Sequence, residues 1–562
     1  MNNKTARILL GSLACILLAF GAITWATSLM DSLFAYRSLL RDNPPAPGAA
    51  LGEPLTRRVV FVLIDALRED TSRDAQVMPY LNQLRDQGAW ALMHSQPPSY
   101  SEPGYSVLLT GAWPDLNDGP AMNLPYEEIH AFTQDNLFSA AQRAGLNTAV
   151  SGYYWFEKLI PQEAVGASFY TPGEDQIADQ QVVEAAVPWL RDENYQLVLI
   201  HLDQIDYAGH HEGGPRDPRW NQAASRVDSL LDEIAAELDF NLDTMLVVSD
   251  HGQIDPGGHG GHEAVTLLEP FVLVGAGVQP GFYGDMNMVD VAPTIATLLG
   301  TNLPGTSQGA VLLEMLTFPS ERLQMLVENT EGQQNRLLSA YQAALGVMDA
   351  SKPMVDQNPL PSPGRVVEAY QHEINLIREA RLNAERLPRS ILAALVAVIP
   401  ACLLVWKRNR AAGWMLAGAL LYVALFHVRY ALIDSNTYSL SSVTSAESLI
   451  SYVVTTSLIA MAASWLVIVF ALKLTRQAPS RAFELSLGFV FLVVYLVSLP
   501  ILLSYALNGF IVRWTLPHFP SMFSAFLSVL QLLVVAAVGL LFTLLAALIA
   551  GILRRSERQA AN

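Results

Sequence analysis

Three aspartates, three histidines and one serine stand in four short segments of this chain. Asp65 lies in VVFVLIDALRED, Ser101 in PPSYSEPGYSVLLTG, Asp206 and His210 in LIHLDQIDYAGHHEG, and Asp250, His251 and His259 in LVVSDHGQIDPGGHGGHE. Three of these segments begin as an apolar, β-branched run that breaks into the polar residues. Strands of a parallel sheet deliver side chains in this way to the edge where open α/β sheets bind ligands. Carboxylates, imidazoles and one hydroxyl in this combination suit two adjacent divalent cations with a nucleophile between them.

Each segment has a local logic. Asp65 closes the first apolar run; a carboxylate there also suits a helix cap, and the Asp-His pair far downstream favours the ligand role. SYSEPGYSVLLTG reads as a loop entering a helix, with Pro103 in its first turn. That puts Ser101 at a helix N-terminus, where backbone N–H groups favour negative charge. A serine there is commonly only an N-cap, and a metal-bound hydroxyl is the functional alternative. Ser99 is the competing hydroxyl. Asp206 and His210, four residues apart, can face one ion from a helix or tight loop; Asp203, His201 and His211 are lesser candidates, with His201 ending a strand and His211 solvated. Asp250 and His251 follow a strand directly, and GGHGGHE then offers His259 or His262, each among glycines that allow close backbone approach.

Around these segments the chain alternates. VVFVLI, NTAVSG, YQLVLIHL, TMLVVS and PFVLVG read as strands; MPYLNQLRDQG, DNLFSAAQRAG, DQQVVEAAVPWLRD and RVDSLLDEIAAELD read as helices. The expected fold class is α/β, a mostly parallel sheet flanked by helices.

Composition adds a membrane. Of 562 residues, 51% are hydrophobic, and the excess is concentrated in two places. Ile8 to Met30 is long enough to cross a bilayer; it continues through Trp25 without a cleavage site, which favours a retained anchor over a signal peptide. Five further spans are expected in an α-helical bundle: Ile391–Trp406, Gly413–Leu432, Leu449–Leu472, Phe483–Leu507 and Phe523–Leu553. Lys407, Arg408 and Arg410, then Lys473, Arg476 and Arg481, then Arg554, Arg555 and Arg558 follow alternate spans, so these clusters are expected on the cytoplasmic side. Lys4 and Arg7 place the N-terminus there too, and the segment between anchor and bundle then faces away from the cytoplasm. The expected organisation is an anchor (1–30), a Pro/Gly/Ala-rich linker (31–56), an extracytoplasmic catalytic domain (57–316), a helical connector (317–387) and the bundle (388–562). The net charge of −18, carried mostly by the external segment, argues against nucleic acid as a partner. Cys15 and Cys402 both fall in expected spans, so the external domain has no disulfide. It also lacks an N-x-[ST] acceptor, which favours a bacterial envelope, with the protein in the inner membrane and its domain in the periplasm.

The residue pattern resembles the alkaline phosphatase superfamily, in its phosphodiesterase and glycosylphosphatidylinositol ethanolamine phosphate transferase branch. The likeness runs through Asp65, Ser101 ten residues before Gly111 of LLTG, the D-x-x-G-H of Asp206 and His210, the S-D-H-G of Asp250 and His251, the G-x-H-G of His259, and VDVAPTIATLLG from Val289 to Gly300. It implies one zinc held by Asp65, Ser101, Asp250 and His251 and another by Asp206, His210 and His259, with manganese as the alternative metal. It implies in-line attack by Ser101 and a phospho-seryl intermediate. The layout of anchor, external domain and bundle is similar to that of the ethanolamine phosphate transferases, with a shorter bundle, and implies a phospholipid or lipid-linked glycan as substrate. Arg429 and Arg513, with His427 and His518, lie near the expected outer membrane surface, where they could meet a lipid phosphate or simply anchor the interface. The alternative enzyme is a nucleotide-type phosphodiesterase or pyrophosphatase that hydrolyses with the same residues. A sulfatase fits less well: Ser101-Glu102-Pro103 begins S-x-P-x-R, but Tyr105 stands in place of the arginine. A degenerate, non-catalytic domain would be expected to have lost ligands, and none of the seven positions is lost.

Overall fold

Every residue of RVVFVLI is buried, as expected for a strand covered on both faces. It is the first of eight strands: β1 (Arg58–Ile64), β2 (Ala89–His94), β3 (Asn147–Tyr153), β4 (Ala167–Thr171), β5 (Tyr195–Leu202), β6 (Asp243–Val248), β7 (Leu268–Gly275) and β8 (Gly281–Asn287). The computed structural model describes residues 3–347, 353, 360–406, 410–443, 445–474 and 481–560. The strands form one sheet in the order β4-β3-β5-β1-β6-β7-β2-β8. Five of its seven pairings are parallel and the two made by β7 are antiparallel, so the sheet is mixed and mostly parallel. Alternate residues of β1 serve two cores: Val59, Phe61 and Leu63 pack on one face of the sheet, and Val60, Val62 and Ile64 on the other. The five strands expected from apolar runs all form. The sequence reading missed β2, β4 and β8. β4 and β8 are edge strands of half-exposed, mixed composition, and β2 alternates buried and half-buried positions.

The flanking helices arise where apolar periodicity meets a capping side chain. Asn136 accepts from the N–H groups of Phe138 and Ser139, Asp175 from those of Ile177 and Ala178, and Asp217 from that of Arg219. Each satisfies donors that the first helical turn leaves open.

The chain divides into two compact units, Leu33–Arg381 with Arg513–Leu516, and Met1–Ser32 with Leu382–Val512 and Pro517–Asn562. The stretch 31–56, expected as a linker, is largely built into the first unit. Arg37 pairs with the buried Asp118 at 2.6 Å, Tyr36 donates to the carbonyl of Asp115, and Leu51 N–H bonds the carbonyl of Thr301. The helix expected over Arg365–Arg386 and the apolar segment after it form one helix, Pro363–Trp406.

Among the described residues, five helices carry segments long and apolar enough to cross a membrane: Leu17–Phe34, Ala412–Ile433, Ala446–Phe470, Ala482–Asn508 and Phe519–Ala546. They mark the chain as an integral membrane protein. The expected span Ile391–Trp406 is not among them; its side chains beyond Cys402 lie outside the described residues. Lys407, Arg408 and Arg476, on which the expected orientation partly rests, lie outside them as well. Inside this second unit several buried polar groups are matched. Trp465 Nε1 donates to Ser486 Oγ at 2.9 Å, Tyr422 Oη to Ser457 Oγ at 3.1 Å, and Trp25 Nε1 to the carbonyl of Gly509 at 2.9 Å. Unmatched polar groups would be costly in an apolar surrounding.

Candidate metal centre

The parallel strands β1, β5 and β6 all end at one edge of the sheet, and their next residues carry the site. Asp65 follows β1 directly, and the chain turns away at Ala66, whose φ of 61° is unusual for a non-glycine residue. The Ala66 N–H faces Asp250 Oδ1 at 3.3 Å. Beyond β5, the helix Gln204–His211 places Asp206 and His210 one turn apart. Beyond β6 come Asp250 and His251. Ser101 opens the helix Ser101–Thr110. Gly104, one turn into that helix, is needed for close approach: a Cβ there would stand 2.8 Å from the Cβ of Asp250.

All seven residues singled out from the sequence are brought together. Around His251 Nε2 stand Ser101 Oγ at 3.2 Å, Asp65 Oδ1 at 3.4 Å and Asp250 Oδ2 at 3.4 Å. Beside them, His210 Nε2 and His259 Nε2 face each other at 2.9 Å, and Asp206 lies 3.4 Å from the first and 3.6 Å from the second. The rings of His251 and His259 stack at 4.0 Å. Two triads have ligand atoms within 4.8 Å of one another, Asp206/His210/His259 and Asp65/Asp206/His251.

The protons decide what this cluster can hold. His251 Nδ1 lies 3.2 Å from the carbonyl of Gly252 and His259 Nδ1 lies 3.0 Å from that of Ser99. A carbonyl only accepts, so each Nδ1 carries the proton and each Nε2 presents a lone pair. Those lone pairs point at carboxylate oxygens. Asp65 Oδ1 and Asp250 Oδ2, both facing His251 Nε2, are buried without any hydrogen-bond partner. Imidazole lone pairs and unpartnered carboxylate oxygens facing one another, with the Ser101 hydroxyl as the donor beside His251 Nε2, suit cations in their midst. The donor set of carboxylate and imidazole fits zinc, and manganese shares it.

The electrostatics agree. Burial, then repulsion from other acids, pushes the carboxyls of Asp65, Asp203 and Asp250 well up. Burial would raise Asp206 too, but His210, His259 and His251 outweigh it and pull the group below its ordinary value. Burial first, then a neighbouring imidazole, holds His251 and His259 below theirs, so both stay neutral and able to ligate near neutral pH.

Several residues of the site carried a weaker sequence signal. His201, read as a strand-ending residue, does lie in β5, but its buried ring reaches Asp65 and Tyr105; burial lowers it to about 4. Asp203 groups with Asp65 and His201. Gln253 donates to Asp206 Oδ1 at 2.6 Å and explains the glycine of D-x-x-G-H, because a Cβ on Gly209 would run into its amide. Of the two histidines in GGHGGHE, His259 is buried in the cluster and His262 is exposed. His211 is exposed and lies against Tyr207. Ser99 donates to the carbonyl of Gly261 and accepts from the N–H of Gly260, away from the ligand atoms.

The type I phosphodiesterase / nucleotide pyrophosphatase family profile matches residues 59–270, from β1 into β7, a stretch that contains all seven residues. The chain is also similar to the ethanolamine phosphate transferases. The chain is 28% identical over 303 residues to the catalytic subunit of human GPI ethanolamine phosphate transferase 2, covering 49% of this chain and 30% of that protein. It is 26% identical over 304 residues to the mouse GPI ethanolamine phosphate transferase 3 catalytic subunit, covering 49% and 27%. It is 24% identical over 330 residues to GPI ethanolamine phosphate transferase 2 of Candida albicans, covering 52% and 36%. The match thus spans about a third of the length of these relatives. Among solved structures, human ectonucleotide pyrophosphatase/phosphodiesterase 5 aligns at a TM-score of 0.36 and 16% identity over 43% of this chain and 95% of that one. A mutant of the alkaline phosphatase PafA aligns at 0.39 and 11% over 47% and 100%.

Next to Ser101, Glu102 is fully buried; one oxygen accepts from Leu124 N–H at 3.0 Å and the other has no partner. Burial raises its carboxyl to about 8. A raised acid is harmless to the fold below its unfolded pKa and costs stability as pH climbs toward the folded value. Glu102→Gln is therefore expected to melt like the wild type at pH 4 and to be more stable at pH 8, by at most about 5 kcal/mol. Thermal unfolding at the two pH values checks this; a pH-independent difference would contradict it.

The two arginines singled out from the sequence have their own surroundings. Arg429 Nε is 3.3 Å from Asp434 Oδ2 and its guanidinium covers the ring of Tyr452 at 5.1 Å. Arg513 is exposed.

Proposed function

We propose that this chain is a membrane-bound, metal-dependent phosphotransferase that acts through a phospho-Ser101 intermediate on a lipid-linked or envelope substrate, in the manner of an ethanolamine phosphate transferase. The observation that carries the proposal is the convergence of the Ser101 hydroxyl and two unpartnered carboxylate oxygens on the unprotonated Nε2 of His251. Asp65, Asp250 and His251 would share one divalent ion with Ser101, and Asp206, His210 and His259 would hold a second. Bound there, such ions lower the pKa of a hydroxyl and offset charge on phosphoryl oxygens.

The residues supply the rest. Ser101 starts a ten-residue helix, and the positive end of its dipole favours an alkoxide or phosphate oxygen. Its N–H groups are few, because that of Glu102 bonds Asn123 Oδ1 and Pro103 has none, so the nucleophile's own N–H and the dipole remain. Ser101 Oγ forms a bond to phosphorus as the bond to the lipid alcohol breaks, and that alcohol leaves with a proton. In the second half, an acceptor hydroxyl bonds phosphorus, the bond to Ser101 breaks, and the acceptor's proton returns to the serine. The distribution of Lys and Arg supports a domain on the extracytoplasmic side of a bacterial inner membrane, with Arg429 and Arg513 as contacts for a lipid phosphate. The name of the matching family favours a second reading, hydrolysis of a nucleotide-type diester, in which water replaces the acceptor hydroxyl.

Intact-mass and peptide analysis of the full-length protein, acid-quenched after incubation with phosphatidylethanolamine vesicles, tests the proposal. The expected result is a phosphoethanolamine adduct at Ser101 that disappears when an acceptor alcohol is added. An adduct on another residue, or none during measurable turnover, would overturn it; release to water alone would select the hydrolase.

A further inference from the structure

Against Asp65 Oδ2, a buried array of polar groups contributes no ligand atom to the two ions. The His201 Nδ1 faces the backbone N–H of Tyr153 at 3.4 Å. A backbone N–H only donates, so Nδ1 accepts and the single proton of this neutral ring sits on Nε2. That N–H has Tyr105 Oη at 2.9 Å and Asp65 Oδ2 at 3.2 Å. With its oxygen receiving from His201, the Tyr105 hydroxyl turns its own proton to Asp65 Oδ2, with which it makes a short contact. The direction of every proton from β3 to the carboxylate is thereby set. Phe156 seals the array, stacked on Tyr105 at 4.7 Å and edge-on to His201 at 5.2 Å.

Two consequences meet at Asp65. Its Oδ2 is held from behind, so its unpartnered Oδ1 is turned toward His251 and Ser101. And Tyr105 lies one helical turn beyond Ser101 on the same helix, so a bond from Tyr105 to Asp65 also fixes how far the nucleophile stands from that carboxylate. We propose that Tyr105 and His201 are positioning residues that lock the Asp65 carboxylate and the Ser101 helix into one register. This rests on the metal-centre reading above. The atoms of Asp65, His201 and Asp203 are also close enough to hold an ion of their own, but a proton on His201 Nε2 leaves that ring no lone pair to offer there.

The test is made on the full-length protein in detergent, by Zn2+ titration against a competing chelator and by the visible spectrum of the Co2+-substituted form. Tyr105→Phe is expected to weaken one of two ion sites about 10- to 100-fold, leave the other unchanged, and alter the Co2+ bands of one site only. Turnover should show a lower kcat at an unchanged KM. Where Tyr105→Phe does not yield folded protein, His201→Leu and His201→Gln carry the same comparison, with the loss seen for leucine and recovery for glutamine, which keeps an N–H donor. Wild-type affinities and spectrum in Tyr105→Phe would overturn the inference, as would a third ion equivalent lost in His201→Leu. A wild-type protein that binds no ion at all would instead remove the metal-centre reading, a distinct outcome visible before any variant is made.

Discussion

Ser101→Ala is expected to lower turnover by at least about 10⁴-fold while the protein still binds both ions. The magnitude follows from the role. A group that forms a covalent bond in the rate-determining sequence has no substitute when its oxygen is removed, and the residual rate is only what positioning and charge can give to water. Retention of the ions follows from geometry, because Asp65, Asp250 and His251 remain around one position and Asp206, His210 and His259 around the other. Ser101→Thr keeps the hydroxyl and should recover part of the rate. Rates on a soluble phosphodiester together with metal content by mass spectrometry decide the matter. Alanine at this position with a rate within tenfold of wild type would show that another nucleophile operates.

Removal of the ions is expected to lower the melting temperature of the domain by about 10 °C or more at pH 8, recovered on adding Zn2+. Without cations, Asp65, Asp203 and Asp250 are left buried together beside the half-buried Asp206, and Asp65 Oδ1 and Asp250 Oδ2 face the lone pair of His251. The pH dependence has a definite sign. The carboxyls of Asp65, Asp203 and Asp250 are raised, so in the ion-free fold they cost little while protonated and destabilise it increasingly as pH climbs through their folded values. An ion competes with those protons, so the gap between loaded and stripped protein should widen from pH 5 to pH 8. His251 and His259 contribute little to that window: their values are depressed, and their Nε2 atoms are free over most of it. Tryptophan fluorescence melts with and without chelator measure the gap. A gap that stays constant with pH, or unchanged melting once the chelator has been shown to remove the metal, would exclude the centre described here.

The reach of the sequence differs from residue to residue. Asp65, Asp250 and Asp206 were legible because each stands at or just past the end of an apolar run, and an apolar run that stops at a polar residue announces both a strand and its ligand edge. β1, β3, β5, β6 and β7 were legible for the same reason, being covered on both faces. β4 and β8 were not, because an edge strand packs one face and need not be continuously apolar. The membrane helices were legible from length and composition. The stretch 31–56 misled, since proline and glycine mark a chain without regular structure but not one without contacts. Arg37, half-buried and paired with the buried Asp118, shows the difference.

Taken alone, the sequence determined the kind of fold, the presence of membrane helices and the types of ligand the site offers, because these follow from local periodicity and residue chemistry. Only the tertiary structure decided between His259 and His262, set Ser101 rather than Ser99 against the ligands, and disclosed the chain of protons from His201 through Tyr105 to Asp65. Those outcomes depend on side chains 40 to 162 residues apart in sequence. No local pattern encodes which way an imidazole or a carboxylate turns; that is settled by the partner each finds when the sheet edge closes around it.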